Sequence, residues 1–161
     1  MSGRGAKTRV YALYGRLPKW LRVFLIRRVS PDFHVGAMCV VRRSDGAILL
    51  LRNSYRPGWG LPGGMLRRGE AVADAVLREV REEVGLEVAL DGPPRVVVDA
   101  PARRVDVLFT AHLRGGAAAD GVVSTSAEVL EVAWFQPGRL PALHEEAEEV
   151  LAAVGVPLGS S

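Results

Sequence analysis

The sequence predicts an α/β (α+β) fold in which a mixed β-sheet lies between helices, with a basic helical arm in front of it. Short apolar runs separated by Gly- and Pro-rich turns are typical of strands. A helical segment follows the first strands and another follows the last, an order typical of a sheet covered by helices. The chain has 161 residues, of which 48% are hydrophobic, so it can bury a core without disulfides.

The first 30 residues form a basic arm with eight Lys or Arg and no acidic residue, whereas the remaining 131 carry 13 basic and 18 acidic residues. Residues 1–9 are expected to be a loose tail, and 17–29 a short helix with Pro18 tolerated in its first turn. We expect this helix to pack on the domain or on a second subunit, as in a homodimer. Adhesion to anionic lipid or RNA is the alternative. Nucleic acid is the less favoured partner because the basic residues of the arm are not interleaved with aromatic residues that would form a surface for stacking nucleobases.

Residues 31–157 are expected to form one domain, followed by a short tail at 158–161. Residues 33–43 predict a strand, 44–46 a tight turn and 47–53 the hairpin partner. A loop at 54–64 leads to a helix at 70–84, and a strand starts at 86–90 but is broken by Asp-Gly-Pro-Pro. The remaining predicted elements are strands at 95–101 and 103–113, a loop at 115–121, a strand at 128–135 and a helix at 142–154.

Several classes of protein are disfavoured by composition. Cys39 is the only cysteine, so no internal disulfide can form, and its apolar neighbours predict a core position. No apolar run approaches the length of a membrane span. The N-terminus lacks the apolar core and cleavage site of a signal peptide, so we expect a cytoplasmic protein.

The helix predicted at 70–84 has two distinct faces. Its apolar residues fall on one arc, and three carboxylates, Glu79, Glu82 and Glu83, fall on the neighbouring arc within about one turn. Such crowding is unfavourable unless a positive charge lies beside it. A divalent metal ion is the simplest source of that charge. The apolar arc consists of Ala73, Val76, Leu77, Val80 and Val84.

The segment from 64 to 86 resembles the Nudix box, G-x5-E-x7-R-E-U-x-E-E-x-G-U, in which U is aliphatic. Every fixed position of this box is filled. The resemblance implies an α/β/α sandwich and hydrolysis of the phosphoanhydride of a nucleotide or of a nucleoside diphosphate linked to another group. The matching residues are Gly64, Glu70, Arg78, Glu79, Val80, Glu82, Glu83, Gly85 and Leu86.

The resemblance also implies a set of roles. Glu79, Glu82, Glu83 and the Gly63 carbonyl are expected to hold Mg²⁺ or Mn²⁺, which prefer oxygen ligands. Glu70 and Arg78 are expected to support the site through ion pairs. The general base is either Glu79 or Glu128, and Glu128 is also a candidate metal ligand. An ordinary carboxylate at a strand edge is the alternative for Glu128.

Substrate contacts are less defined by the sequence. Tyr55 and Trp59 are candidates to stack on a base. The candidate phosphate contacts are arginines, namely Arg52, Arg56, Arg67, Arg68, Arg103 and Arg104. Solvated surface is the alternative for the arginines, and core packing is the alternative for Trp59. His144 is expected to be structural, and the acidic run at 145–149 is expected to be a solvated helix face. Two other functions stay open, a non-catalytic nucleotide-binding module and a pyrophosphohydrolase that acts on RNA 5′ ends through the basic arm.

Overall fold

The computed structural model describes residues 14–30, 32–114, 122 and 124–158. The chain divides into two compact units between Phe33 and His34. In the first unit, helix α1 spans Lys19–Val29 and begins directly after Pro18, two residues later than predicted. Arg28 lies over the ring of Phe24, 5.5 Å from its centroid. No helix in the described ranges is both long and apolar enough to cross a bilayer. The tail predicted at 1–9 and the loop predicted at 115–121 lie outside the described residues.

The second unit contains six strands and two helices. The strands are β1 (His34–Arg42), β2 (Ile48–Asn53), β3 (Gly63–Met65), β4 (Val88–Asp99), β5 (Arg104–Leu113) and β6 (Val129–Phe135). The helices are α2 (Val72–Val84) and α3 (Glu145–Ala153).

These strands form one mixed sheet in the order β4-β5-β1-β2-β6, with β3 also paired to β1. The β1–β5 pair is parallel, and the other pairs are antiparallel. The mixed sheet was predicted. β1 therefore lies at the centre, with β5 on one side and the elements that lead to α2 on the other.

A hydrophobic core lies on each face of the sheet. The alternation of strand side chains sends Cys39 and Leu49 to one core, where they pack with Val76 and Val80 of α2. The neighbouring residues Val40 and Leu50 point to the other face, where α3 packs. Full burial of a valine side chain is worth roughly 1.5–3 kcal/mol, so these contacts hold both helices firmly. The α/β/α layering and the core position of Cys39 are confirmed.

Two parts of the strand prediction were wrong. The segment 54–64 is not all loop, because Gly63 begins β3 and pairs with Met38 of β1. The Asp-Gly-Pro-Pro sequence does not end a strand, because β4 continues through it with a register shift between Asp91 and Arg95. β4 lies at the edge of the sheet, where proline, which has no N–H to donate, is tolerated at such an irregularity.

Candidate active site

Two consecutive glycines bring the backbone of β3 close to both β1 and helix α2. A Cβ at Gly63 would lie 2.4 Å from the carbonyl oxygen of Ala37, so no larger residue fits the β1–β3 pairing. A Cβ at Gly64 would lie 2.6 Å from the Oε1 of Glu79. The missing side chain of Gly64 therefore leaves room for the carboxylate of Glu79 against the backbone.

Glu83 lies against the glycine backbone of β3. The backbone N–H of Gly63 donates to its Oε2 at 2.9 Å. Burial, together with the negative charges of Glu79, Glu128 and Glu82, raises the pKa of Glu83 to about 7. A carboxylate in this position gains most from a neighbouring positive charge.

Arg78 connects the other carboxylates of the helix. Its Nε donates to Glu70 at 2.7 Å, and its Nη1 donates to Glu79 at 2.5 Å and to Glu82 at 3.2 Å. The hydrogen bonds from Arg78 and from the backbone N–H of Arg67 lower the pKa of Glu70 to about 2. The guanidinium of Arg67 also reaches Glu82 at 3.0 Å. Arg78 therefore fixes the side chains of three box glutamates.

Glu128 lies on a short loop that is tied to the end of α2. The backbone N–H of Thr125 donates to the carbonyl of Glu83 at 3.1 Å, and its hydroxyl donates to the carbonyl of Glu82 at 2.8 Å. The carbonyl of Glu128 accepts a hydrogen bond from the N–H of Ser54 at 2.9 Å. These bonds bring Glu128 near enough for its charge to raise the pKa of Glu83. We call Glu79, Glu82, Glu83 and Glu128 the glutamate cluster.

The chemistry of the glutamate cluster fits a hard divalent cation. Among the described residues, the ion pairs of its four members and of Glu70 are formed with the guanidinium groups of Arg67 and Arg78, so five carboxylates share two cationic partners. Within the described ranges, no three His, Cys, Asp or Glu side chains converge as a bound metal requires. Glu79 and Glu82 instead turn toward Arg78, and Glu83 turns toward Gly63. The donors are all oxygen atoms, which suits Mg²⁺ or Mn²⁺.

A cavity of about 230 Å³ begins at the same glycines. It is also lined by Asn53, Tyr55 and Arg56, and by residues near the starts of β5 and α3. Arg104 donates from Nε to Asp106 at 2.7 Å and also pairs with Glu146, whose second oxygen accepts from Arg56. We call Arg56, Arg104, Asp106 and Glu146 the cavity network.

A family model described as NUDIX domain matches residues 32–154. The chain belongs to the Nudix family. This membership agrees with the glycine-supported glutamate helix and identifies the chain as a hydrolase of phosphorus-containing acid anhydrides.

Individual Nudix relatives carry different names. The chain is 36% identical over 107 residues to a Bacillus subtilis (strain 168) protein named as a candidate 8-oxo-dGTP diphosphatase, covering 66% of this chain and 68% of that protein. It is 32% identical over 120 residues to the NAD-capped RNA hydrolase NudC of Stutzerimonas stutzeri (strain A1501), covering 72% of this chain and 40% of that protein. A crystal structure of MutT NUDIX hydrolase from Burkholderia pseudomallei has a TM-score of 0.60 and 29% identity, and covers 77% of this chain and 99% of that chain.

The predicted substrate contacts of this Nudix hydrolase are dispersed. Tyr55 lines the cavity. Arg52 pairs with Glu131 on the sheet at 3.1 Å, and Arg67 pairs with Glu82. Trp59 packs edge-to-face on Phe135 with centroids 4.9 Å apart, which matches the core alternative. Arg103 occupies a left-handed turn position, with φ 51°, between β4 and β5.

Sequence reasoning missed the roles of Asp106 and Glu146. Glu146 belongs to the run predicted to be a solvated helix face, but it is held in the cavity by two arginines. Asp106 is 7% exposed and interrupts an otherwise apolar stretch of β5. That interruption was the available signal, because an acidic residue in a central strand needs a partner or a function. His144 accepts a hydrogen bond at Nδ1 from the N–H of Glu146 at the start of α3 and also lines the cavity, so its structural role stays a prediction.

Proposed function

We propose that this Nudix hydrolase is a Mg²⁺- or Mn²⁺-dependent pyrophosphohydrolase that cleaves the phosphoanhydride of a nucleotide or of a nucleoside-diphosphate derivative. The observation that carries the proposal is the glutamate cluster, which concentrates uncompensated negative charge beside a glycine-lined cavity. A polyphosphate is itself anionic, so the two require cations between them. When bound, the metal would neutralise the phosphoryl oxygens and polarise a water molecule.

Within this proposal Glu79, Glu82, Glu83 and the Gly63 carbonyl hold the metal. Arg78 and Glu70 are positioning residues, because they fix the carboxylates without reaching the substrate. Glu128 or Glu79 accepts the proton of the attacking water as its oxygen bonds to phosphorus. The bridging P–O bond breaks, which yields a nucleoside monophosphate and a second phosphorylated product.

The substrate contacts in this proposal are led by Tyr55, which lines the cavity and presents an exposed ring to a base. Arg67 is the next candidate because it lies beside Glu82, where a phosphate would approach the cations. Arg52, Trp59 and Arg103 stay predictions. The cytoplasmic location and the homodimer also stay predictions. Light scattering on the purified protein measures its molar mass and therefore tests the homodimer.

A substrate panel tests the proposal. Nucleoside triphosphates, 8-oxo-dGTP, ADP-ribose, dinucleoside polyphosphates, CDP-alcohols and nucleotide sugars are incubated with Mg²⁺, Mn²⁺ or EDTA, and products are separated by chromatography. We expect cation-dependent release of a nucleoside monophosphate from at least one of them. Nucleotide binding without any turnover would instead support the non-catalytic module.

A second candidate function is hydrolysis at the 5′ end of RNA. It is favoured by the eight basic residues and absent acids of the first 30 positions. The names of two relatives also favour it, the NAD-capped RNA hydrolase and the RNA pyrophosphohydrolase of Halorhodospira halophila. Deletion of residues 1–30 separates the two functions. Loss of RNA turnover with retention of small-nucleotide turnover would support RNA, and equal retention of both would remove the arm from the activity.

A further inference from the structure

Strand β4 leaves one edge of the sheet open. It stands at the end of the sheet order and pairs with β5, and within the described ranges no other strand pairs with its outer edge. A strand in this position presents a row of backbone N–H and C=O groups and is a template for pairing with another chain. Val96 and Val98 are 58% and 59% exposed, so apolar surface accompanies these hydrogen-bonding groups.

The two halves of β4 differ in how well they are protected from such pairing. The first half contains a Gly-Pro-Pro sequence and the register shift between Asp91 and Arg95, and both discourage pairing at an edge because proline has no N–H to donate. Residues 95–99 lack both features and keep a regular register with β5, and the chain turns directly after Asp99. The unprotected edge is therefore a regular segment of five residues that begins after Pro94.

This five-residue segment is complementary to a second copy of itself. Its sequence is Arg-Val-Val-Val-Asp, with opposite charges at its two ends. Antiparallel pairing about a two-fold axis at Val97 places Arg95 opposite Asp99 of the partner subunit, and it does so twice. The same register places Val96 opposite Val98 of the partner subunit, so four exposed valines meet on one face. It is also the register that pairs all five residues of both copies.

The two charged side chains of the segment are available for such pairs. They lie on the face of Val97, which packs on the core beneath α3. Arg95 is exposed and donates to the carbonyl of Ala153, which is a neutral partner. Asp99 accepts from a backbone N–H through Oδ1, and its Oδ2 is 4.0 Å from Arg104. Among the described residues this long contact is the one ion pair that either side chain forms, so a partner subunit can compensate both charges better.

The other edge of the sheet does not have this self-complementarity. Strand β6 contains a single charged residue, Glu131. Two copies joined along β6 would gain no pair of opposite charges. The charge pattern therefore favours β4 over β6 as the edge that a second copy recognises.

We propose that residues 95–99 of β4 are a self-association edge, through which two copies of this chain form a two-fold dimer with one continuous sheet. Pairing adds roughly four to six main-chain hydrogen bonds, two pairs of opposite charge and a contact among four valines. Because the contact is shorter than a standard interface, the dimer is reversible, with a Kd in the micromolar range. This surface is distinct from helix α1, which the sequence predicts as a contact to a second subunit.

Analytical ultracentrifugation of the full chain between about 1 and 500 µM measures the association. We expect the mass to rise from the monomer value of 17.3 kDa toward twice that value. Arg95→Glu places two acids opposite each other at both ends of the segment, and Asp99→Arg places two arginines there. Each variant alone is expected to raise Kd about tenfold or more. Arg139→Glu is the matched control, since Arg139 is exposed and follows β6 at the opposite edge, and it should keep the parental Kd.

An equal mixture of Arg95→Glu and Asp99→Arg is the decisive measurement. The two altered copies are complementary to each other at both ends of the segment, so the mixture is expected to associate with a Kd within about threefold of the parental value. A folding defect in one variant could not be repaired in this way. Three results would overturn the proposal: a parental protein that stays monomeric over the whole range, a dimer that neither variant weakens, or a mixture as dissociated as its components.

Hydrogen exchange on the parental protein decides the question if either variant does not fold. Raising the concentration from the monomeric to the dimeric range should slow exchange of the backbone N–H groups in residues 95–99 and leave exchange in β6 unchanged. Slower exchange in residues 19–29 with no change in residues 95–99 would assign the dimer to helix α1 and contradict the β4 edge. Unchanged exchange in both segments would contradict it as well.

Discussion

The glutamate cluster and the cavity network are built from the same residue types, yet they balance charge differently. The cluster and Glu70 together carry five carboxylates against two guanidinium groups. In the network, Arg104 pairs with Asp106, Glu146 and Asp99, and Arg56 pairs with Glu146. The excess of carboxylates over guanidinium groups in the cluster creates a demand for cations, whereas each carboxylate of the network already has an arginine partner. The comparison therefore favours cation binding at the cluster.

The largest expected effect is on the rate when the cluster loses one charge. Glu83→Gln should reduce kcat on the order of 10²- to 10³-fold, because under the proposed function it removes a carboxylate that would hold the metal while packing is preserved. Glu87→Gln is the control, since Glu87 is exposed and pairs only with Arg81 among the described residues. Steady-state kinetics with Mg²⁺ measures both. Parental activity in Glu83→Gln would remove Glu83 from the site.

The second effect concerns how the free energy of unfolding depends on pH in the absence of divalent cations. The ordinary pKa of Glu83 is 4.5, and its folded value is about 7. Between these values the folded protein holds more protons than the unfolded chain, so the contribution of Glu83 to stability falls as pH rises and is lowest above pH 7. Relative to Glu83→Gln, the parental protein in EDTA should lose up to about 3 kcal/mol between pH 4 and pH 8.

Urea unfolding at several pH values measures this difference. Addition of Mg²⁺ at pH 8 should stabilise the parental protein more than the variant, because the cation offsets the charge. Identical pH profiles for the two proteins would show that the cluster carries no unfavourable charge, and the contrast with the cavity network would fail.

A smaller effect on kcat is expected at Glu128, the member of the glutamate cluster that lies on a loop. Glu128→Gln should lower kcat by about 10- to 100-fold and change its dependence on pH, if Glu128 accepts the proton of water. Glu131→Gln is the matched control on the following strand. If the pH and metal profiles of Glu128→Gln match the parent, Glu79 becomes the candidate base.

The smallest effect is expected in the network. Glu146→Gln leaves one guanidinium charge uncompensated and weakens the hold on Arg56 and Arg104. KM for the preferred nucleotide should rise while kcat stays within about twofold of the parent, as for a group that binds the substrate equally before and during the reaction. A kcat loss as large as that of Glu83→Gln would show that the network takes part in the chemistry.

The cluster could be predicted from the sequence because its parts are local. All fixed box positions lie within residues 64–86, and one helix presents the carboxylates. The end of this helix was also predictable from the sequence, because Gly85, which adopts a left-handed conformation there, is a typical residue at a helix C-terminus. Arg56 and Arg104 of the network were candidates from the sequence. Their pairing with Glu146 could not be predicted, since Glu146 meets these partners 90 and 42 positions away. Helical periodicity predicts only that Glu146 is one of several acidic residues on the helix. It does not predict which distant residues pair with it.

The strand errors have a similar origin. The β3 pairing depends on how closely Gly63 can approach β1, which is a property of two segments rather than one. The continuation of β4 through two prolines depends on its position at the edge of the sheet, which a local pattern does not specify. The turn predicted at 44–46 was correct, because the two strands that it joins are adjacent in sequence.

The central position of β1 has a consequence for biosynthesis. Each residue of β1 pairs in parallel with the residue 70 positions later. The glutamate helix therefore leaves the ribosome well before the strand that completes the sheet beneath it. Until β5 emerges, one apolar edge of the nascent domain stays open, and contacts this distant in sequence form slowly. Chains that end before β5 would contain every residue of the box but would lack the strand that pairs with β1. Such chains are expected to bind chaperones and to have no enzymatic activity.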